Sequence, residues 1–245
     1  MQVAVILPAA GLGTRMGRGA AEKTGTSRKQ FMLLEGSPIL VHTVRKFLAS
    51  EHVHEIVIAL RPEDLDWVEQ VFHKEFPGKR VRAVAGGNSR QESVENALAT
   101  VSPDIPVVAV HDAVRPFIDL ETITKVFHEA AETGAAIVGV PVVDTVKQVS
   151  RGTGKVKIRG TLQRDKLVLA QTPQVFRHDL LARAFQSARR DGFIGTDEAS
   201  LVERLDDVEI SVVLGSDRNI KITKPADMDL AHLFLREDVA KEASL

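Results

Sequence analysis

The sequence contains no cysteine, which removes disulfides, thiolate catalysis and cysteine-type zinc sites in one step. It also has almost no net charge: 32 lysines and arginines face 33 aspartates and glutamates, a formal −1. No overall positive field draws the chain to nucleic acid or an anionic membrane, and neither is expected as a partner. No apolar run approaches the length of a membrane span, and Met1 to Leu7 lacks the basic start and the length of a signal peptide. A cytoplasmic protein is the expectation. Repeats, low-complexity tracts and linkers are missing as well. What is left is 245 residues with 44% apolar content, enough for a sizeable core, and a single domain over 1–245 fits better than two small ones.

What the chain does have is concentrated near its start. Val3 to Leu7 is a short apolar run of the kind a buried parallel strand shows, and it empties at once into Pro8-Ala9-Ala10-Gly11-Leu12-Gly13. Nothing projects from Ala9, Ala10, Gly11 and Gly13, so backbone N–H groups there can approach phosphate oxygens. Unlike a dinucleotide fingerprint, the loop carries side-chain cations, with Arg15, Arg18, Lys23, Arg28 and Lys29 close together. Arginine offers a bidentate fork and lysine a point charge, which together suit a triphosphate. A nucleotide is the first ligand to expect.

Helix and strand patterns then alternate, which predicts an α/β fold: a doubly wound, mostly parallel sheet with helices on both faces. Ser37-Pro38 reads as the N-cap and first residue of a helix with an apolar stripe through Ile39, Leu40, Val44 and Phe47. Strands are expected over 55–60, 81–85, 105–110 and 135–141, and helices over 62–76 and 120–133. Ser89 and Glu92 make a capping box behind Gly86-Gly87-Asn88. After Pro141 the alternation breaks. Residues 144–171 read as extended segments around Gly152-Thr153-Gly154, an arm projecting from the domain. An isolated hairpin is marginal in water, so a second copy of the chain is the expected partner. A helix over 179–190, another opened by Thr196-Asp197-Glu198-Ala199, a strand over 208–214 and a last helix from Lys224-Pro225 complete the pattern.

The motifs carry a resemblance. The Pro8-to-Gly13 turn with Arg15 and Lys29, then Gly86-Gly87-Asn88-Ser89-Arg90 with Ser93, His111-Asp112-Ala113-Val114-Arg115-Pro116, Thr172-Pro173-Gln174, Thr196-Asp197-Glu198-Ala199 and Asn219-Ile220-Lys221-Ile222-Thr223 follow one another in order. In that order and spacing the chain resembles the 2-C-methyl-D-erythritol 4-phosphate cytidylyltransferases, CTP-using enzymes of the non-mevalonate isoprenoid pathway. The resemblance spans nearly the whole chain. It implies a nucleotide-diphospho-sugar transferase-like fold, a β-arm that clasps a second subunit, and a homodimer.

Joining CTP to a sugar phosphate requires an acceptor oxygen to attack the α-phosphorus in line while pyrophosphate leaves, so catalysis is mostly positioning and cationic stabilisation. The resemblance gives that stabilisation to Arg15 and Lys29. The loop is longer than usual in the family and also holds Lys23, which leaves the choice of lysine open. Pro8, Ala9, Ala10, Gly11 and Gly13 match the nucleotide-binding turn. Gly87, Asn88 and Ser93 match a base-reading segment, although the family often has aspartate in place of Asn88. Ser89 is read as a cap. Asp112 follows a strand's carboxyl end, where a carboxylate can share Mg²⁺ or another divalent cation with the triphosphate; it can equally pair with Arg115 or cap the following turn. Ala113 and Arg115 would face ribose or phosphate, and His111 reads as a hydrogen-bonded packing residue. Thr145, Arg164 and Lys221 match positions that hold the acceptor, with Thr145 and Arg164 on the arm and so in a neighbour's site. A ribitol-5-phosphate cytidylyltransferase shares most of these features, and a non-catalytic nucleotide-binding protein on the same fold is the reading from another class.

Overall fold

Strand β1 (Val3–Pro8) is solvent-free from Val3 to Leu7, because it lies mid-sheet with a helical layer on each face. The computed structural model of the chain describes residues 1–11, 28–152 and 155–242. Gly13, Arg15, Arg18 and Lys23 of the basic loop fall outside the described residues, as do Thr153 and Gly154 of the arm. A two-stranded ladder of β2 (Leu33–Leu34) and β3 (Ser37–Pro38) follows the loop. Six further strands join β1 in the main sheet: β4 (Val53–Leu60), β5 (Val81–Ala85), β6 (Val107–Val110), β7 (Ala135–Pro141), β10 (Val168–Arg177) and β11 (Ser211–Leu214). Between β7 and β10, β8 (Lys147–Gly152) and β9 (Lys155–Thr161) pair with each other as a separate hairpin.

The sheet runs β11-β7-β10-β6-β1-β4-β5. Every neighbouring pair is parallel except the two that β10 makes, with β6 and β7. From β1 the chain winds outward to β4 and β5, then returns to place β6 on the other side of β1. The switch point therefore lies between β1 and β6, and the crevice beyond their carboxyl ends is where such a sheet binds ligands.

Alternation along β1 sorts the core into two layers. Val3, Val5 and Leu7 meet one layer of helices: α1 (Ile39–Leu48), α2 (Leu65–Glu75) and α4 (Leu120–Thr133). Ala4 and Ile6 meet the other: α3 (Arg90–Leu98), α5 (His178–Asp191) and α6 (Ala199–Val202). A third cluster, with Leu34, Phe117 and Ile222, seats α7 (Pro225–Glu242) beside the crevice.

Three expectations need correction. Ser37 is no N-cap: Glu35 (φ 47°) and Gly36 (φ 82°) take the positive φ pair of a tight hairpin turn, which commits Ser37-Pro38 to β3 and starts α1 at Ile39. The arm ends earlier than 171, because Val168, Leu169 and Ala170 pair with Pro141, Val140 and Gly139 as the first part of β10. The helix expected over 62–76 is a 3₁₀ turn, Pro62–Asp64, followed by α2.

Candidate functional site

The crevice at the switch point is a cleft of about 430 Å³. Its floor is backbone. Pro8, Ala9, Ala10 and Gly11 leave β1; Gly87, Asn88 and Ser89 leave β5 on one side of it, and Asp112, Ala113 and Val114 leave β6 on the other. Small residues let the first two loops meet: a Cβ on Gly86 would come within 3.0 Å of the Ala10 Cβ. Gly87 is required by its neighbour, since a Cβ there would sit 2.2 Å from Glu92 Cγ. Glu92 wraps the loop because its carboxylate accepts from Asn88 N (2.7 Å) while Ser89 Oγ accepts from Glu92 N (3.0 Å). The expected capping box is thus present, with its return bond shifted one residue outward. Ser93 Oγ donates to Ser89 O (2.7 Å) and accepts from Gly87 N (3.0 Å), so it shapes the loop from inside.

Gln30, buried in the 3₁₀ turn Lys29–Phe31, holds the glycine turn from the other side. Its amide donates to Ala9 O (2.6 Å) and Gly11 O (3.2 Å). The same turn places Lys29 among the residues lining the cleft.

Asp112 is the electrostatic centre. Its Oδ2 lies 2.8 Å from Lys221 Nζ and 3.2 Å from Arg115 Nε, and its Oδ1 lies 3.6 Å from Arg90 Nε. Burial alone would push the carboxyl up, but Lys221, Arg90 and Arg115 outweigh it and hold the group well below the usual carboxylate range. Asp112 is therefore an anion at neutral pH. The pairing with Arg115 that the sequence left open is real, and two more cations join it.

A buried second layer fixes these charges. Arg90 Nη1 donates to Glu198 Oε1 at 2.7 Å. Burial pushes Glu198 up while Arg90 draws it down, and its Oε2 has no hydrogen-bond partner among the described residues. Gln174 donates to Asp197 Oδ2 (2.7 Å) and accepts from Ala199 N (2.9 Å), tying β10 to the start of α6. Thr172 Oγ1 accepts the Asp112 N–H (3.0 Å) and lies 3.1 Å from His111 Nδ1. His111 Nε2 faces the Arg115 carbonyl at 3.0 Å. A carbonyl only accepts, so Nε2 carries the proton and Nδ1 takes the Thr172 hydroxyl proton. Burial lowers the His111 pKa from 6.5 to about 4, and the ring is a neutral packing residue, as its motif suggested.

The structure gathers Pro8, Ala9, Ala10, Gly11, Lys29, Gly87, Asn88, Ser93, Asp112, Ala113 and Lys221 around one cleft. Arg115 stands behind Asp112, its Nη1 donating to Asn219 O (2.7 Å). Thr145 and Arg164 do not line this cleft; both are exposed beside the arm, and Arg164 donates to Val143 O (2.5 Å). Gly13 and Arg15 lie outside the described residues. Sequence reasoning assigned no role to Arg90, Gln30 or Glu198. Arg90 did carry a signal: a cation in the first turn of a helix opposes the helix dipole and needs an anion from elsewhere.

No group of three or more His, Cys, Asp or Glu that could hold a metal occurs among the described residues. The single carboxylate of Asp112 nevertheless fits magnesium, which takes few protein ligands and completes its shell with water and phosphate oxygens. The carboxylate is ionised, and its Oδ1 lies 3.6 Å from Arg90 Nε, beyond hydrogen-bond distance.

Comparison with known proteins agrees with this geometry. The family model for 2-C-methyl-D-erythritol 4-phosphate cytidylyltransferase matches residues 3–237. The cytidylyltransferase of that name from Solibacter usitatus is 77% identical over 241 residues, covering 98% of each chain. Its namesake from Acidobacterium capsulatum is 50% identical over 97% of this chain and 98% of its own. Among solved structures, the 2-C-methyl-D-erythritol 4-phosphate cytidylyltransferase of Thermus thermophilus superposes with a TM-score of 0.75 at 31% identity, covering 96% of this chain and 100% of that one.

Proposed function

The chain belongs to the 2-C-methyl-D-erythritol 4-phosphate cytidylyltransferase family, and from that premise we propose that it transfers the cytidylyl group of CTP to 2-C-methyl-D-erythritol 4-phosphate, forming 4-diphosphocytidyl-2-C-methyl-D-erythritol and pyrophosphate. One observation carries the reading at the level of the residues: a backbone-floored cleft at the β1/β6 switch point lined by Lys29, Arg90 and Lys221, the last two beside the ionised Asp112.

In this reaction a phosphate oxygen of the acceptor forms a bond to the α-phosphorus while the bond to the bridging oxygen of pyrophosphate breaks. Charge builds on the equatorial and departing oxygens, and fixed cations lower that barrier. Lys29, with Arg15, faces the triphosphate; Pro8 to Gly11 and Gly13 bring backbone N–H groups to it, and Gly87, Asn88 and Ser93 address the base. Lys221 holds the acceptor phosphate, Ala113 lines the ribose side, and Arg115 holds Asp112 from behind. Magnesium, bound through Asp112, would neutralise triphosphate charge. No general base is needed, because the acceptor phosphate is already ionised at neutral pH. His111 has its one proton committed to a carbonyl and takes no part.

We assign the working form to a homodimer in the cytoplasm. Support comes from the arm: Val149 stands opposite Ile158, and Val156 and Ile158 are 65% and 66% exposed. A second subunit would cover this face and receive Thr145 and Arg164 near its own cleft. No helix among the described residues is long and apolar enough to cross a membrane.

The test is pyrophosphate release from CTP with a panel of sugar-alcohol phosphates and magnesium. Turnover with methylerythritol phosphate is expected. Turnover with ribitol 5-phosphate alone would replace the acceptor and keep the chemistry, and none with either would remove the enzymatic reading.

A further inference from the structure

The turn that presents Lys29 is fastened on both sides. After Lys29, Gln30 is bonded to the carbonyls of Ala9 and Gly11. Before it, Arg28 makes an ion pair with Asp64 and lies over the Phe31 ring at 5.2 Å. The Phe31 ring in turn meets Trp67 edge-on, with centroids 5.0 Å apart and planes at 74°.

Asp64 is placed oddly for a structural residue. It immediately precedes α2, where an aspartate ordinarily accepts from the first N–H groups of its helix, yet its side chain makes no capping bond. It is buried, one oxygen engages Arg28, and Oδ2 has no hydrogen-bond partner among the described residues. A buried carboxylate held by one distant arginine is weak as a stability device. It is strong as a pin, because Arg28 is the residue next to Lys29. Trp67 is the only tryptophan of the chain and is 45% exposed, so it lies at the edge of the core with its ring against the buried Phe31.

We propose that Asp64 and Trp67, which lie outside the cleft, are positioning residues for Lys29. The Arg28–Asp64 ion pair and the Phe31–Trp67 edge contact fix the backbone of the turn so that the Lys29 ammonium meets the triphosphate. The inference rests on the cytidylyl-transfer reading above. A misplacement of about an ångström at such a group can cost on the order of a hundredfold in rate.

A double-mutant cycle tests it, with steady-state kinetics on CTP, methylerythritol phosphate and magnesium. Asp64→Asn and Trp67→Ala are each expected to lower kcat/KM for CTP about ten- to a hundredfold, leaving KM for the acceptor unchanged, and Trp67→Phe is expected to recover most of the loss. In a Lys29→Ala background, either change should add less than about twofold, because the group being positioned is gone. Losses that multiply in that background, or wild-type kinetics in both single variants, overturn the proposal. Full activity of Lys29→Ala overturns it too, while cytidylyl transfer stands. No transfer by the wild-type chain removes both. If Asp64→Asn melts early, the half-exposed Trp67 carries the cycle alone.

Discussion

The cleft and the arm hold their charges in opposite ways. Around the cleft, Asp112, Arg90, Arg115, Lys221 and Glu198 are drawn into one network within a single chain, spanning residues 108 apart between Arg90 and Glu198. On the arm, β8 and β9 pair only with each other among the described residues, and their cations make bonds of a looser kind, such as Lys147 to Thr161 Oγ1 (2.7 Å) and Arg159 to Ser150 Oγ (2.8 Å). Ion pairs of the first sort are costly to break, because one partner is left buried and uncompensated. Contacts of the second sort are nearly free in water. A two-stranded hairpin with an exposed apolar face lacks a core of its own. The cleft can therefore be argued from one chain, while the arm makes physical sense only against another surface.

The sharpest blow to the cleft is Asp112→Asn. It removes the anion that Lys221, Arg115 and Arg90 share, which among the described residues is the one carboxylate lining the cleft. A loss of about a thousandfold in kcat is expected, with the fold intact by circular dichroism. Retention of activity within about tenfold would show that the network is scaffolding.

The arm is tested by mixing. Arg164→Ala alone should cost about ten- to a hundredfold, and Lys221→Ala about a hundredfold or more. If the arm serves its neighbour's cleft, a mixed dimer of the two variants has one site with both defects and one with neither. Refolding them together should then restore about a quarter of wild-type activity, half the dimers being mixed with one sound site each. Recovery no greater than the average of the two variants would place Arg164 at its own cleft and erase the contrast between the regions. A gentler change, Ile158→Asp, puts a charge on the exposed apolar face. It should shift the chain from dimer to monomer by light scattering and leave the melting of the main domain within a few degrees.

Much of this was legible because it is local. β1 running into Ala9-Ala10-Gly11, the cap at Ser89, and α4 stopping at Gly134 are all written in neighbouring residues. Where sequence reasoning failed, pairing was decided elsewhere. Val168 to Ala170 look alike whether they continue the arm or join β7, and only the partner strand settles it. At the site, Asp112 and Lys221 were visible as motif residues, but no spacing rule reveals that Arg90 reaches Glu198 or that Arg28 reaches Asp64. The pinning residues were hidden because their chemistry is ordinary and only their partners are unusual.

The smallest effect separates the two regions by pH. His111 is buried beneath the cleft with its Nε2 proton on the Arg115 carbonyl, and its pKa is lowered to about 4 from 6.5. Between those values the unfolded chain binds a proton that the native state refuses, so stability falls as pH is lowered through this window. His42, also lowered by burial, adds in the same direction. Glu198, raised by burial, opposes, since the folded state keeps its proton longer. Asp112 holds its charge below the ordinary carboxylate range, so it contributes above the unfolded value and is lost only in stronger acid. The His111 share is about 2 kcal/mol of lost stability between pH 7 and pH 5, read as a lower urea midpoint. The arm over 147–161 contains no histidine. Amide exchange corrected for its intrinsic rate should therefore weaken with acid in β1 and β6 and stay flat for local opening of the hairpin; equal loss in both would mean that the arm opens only when the whole domain does.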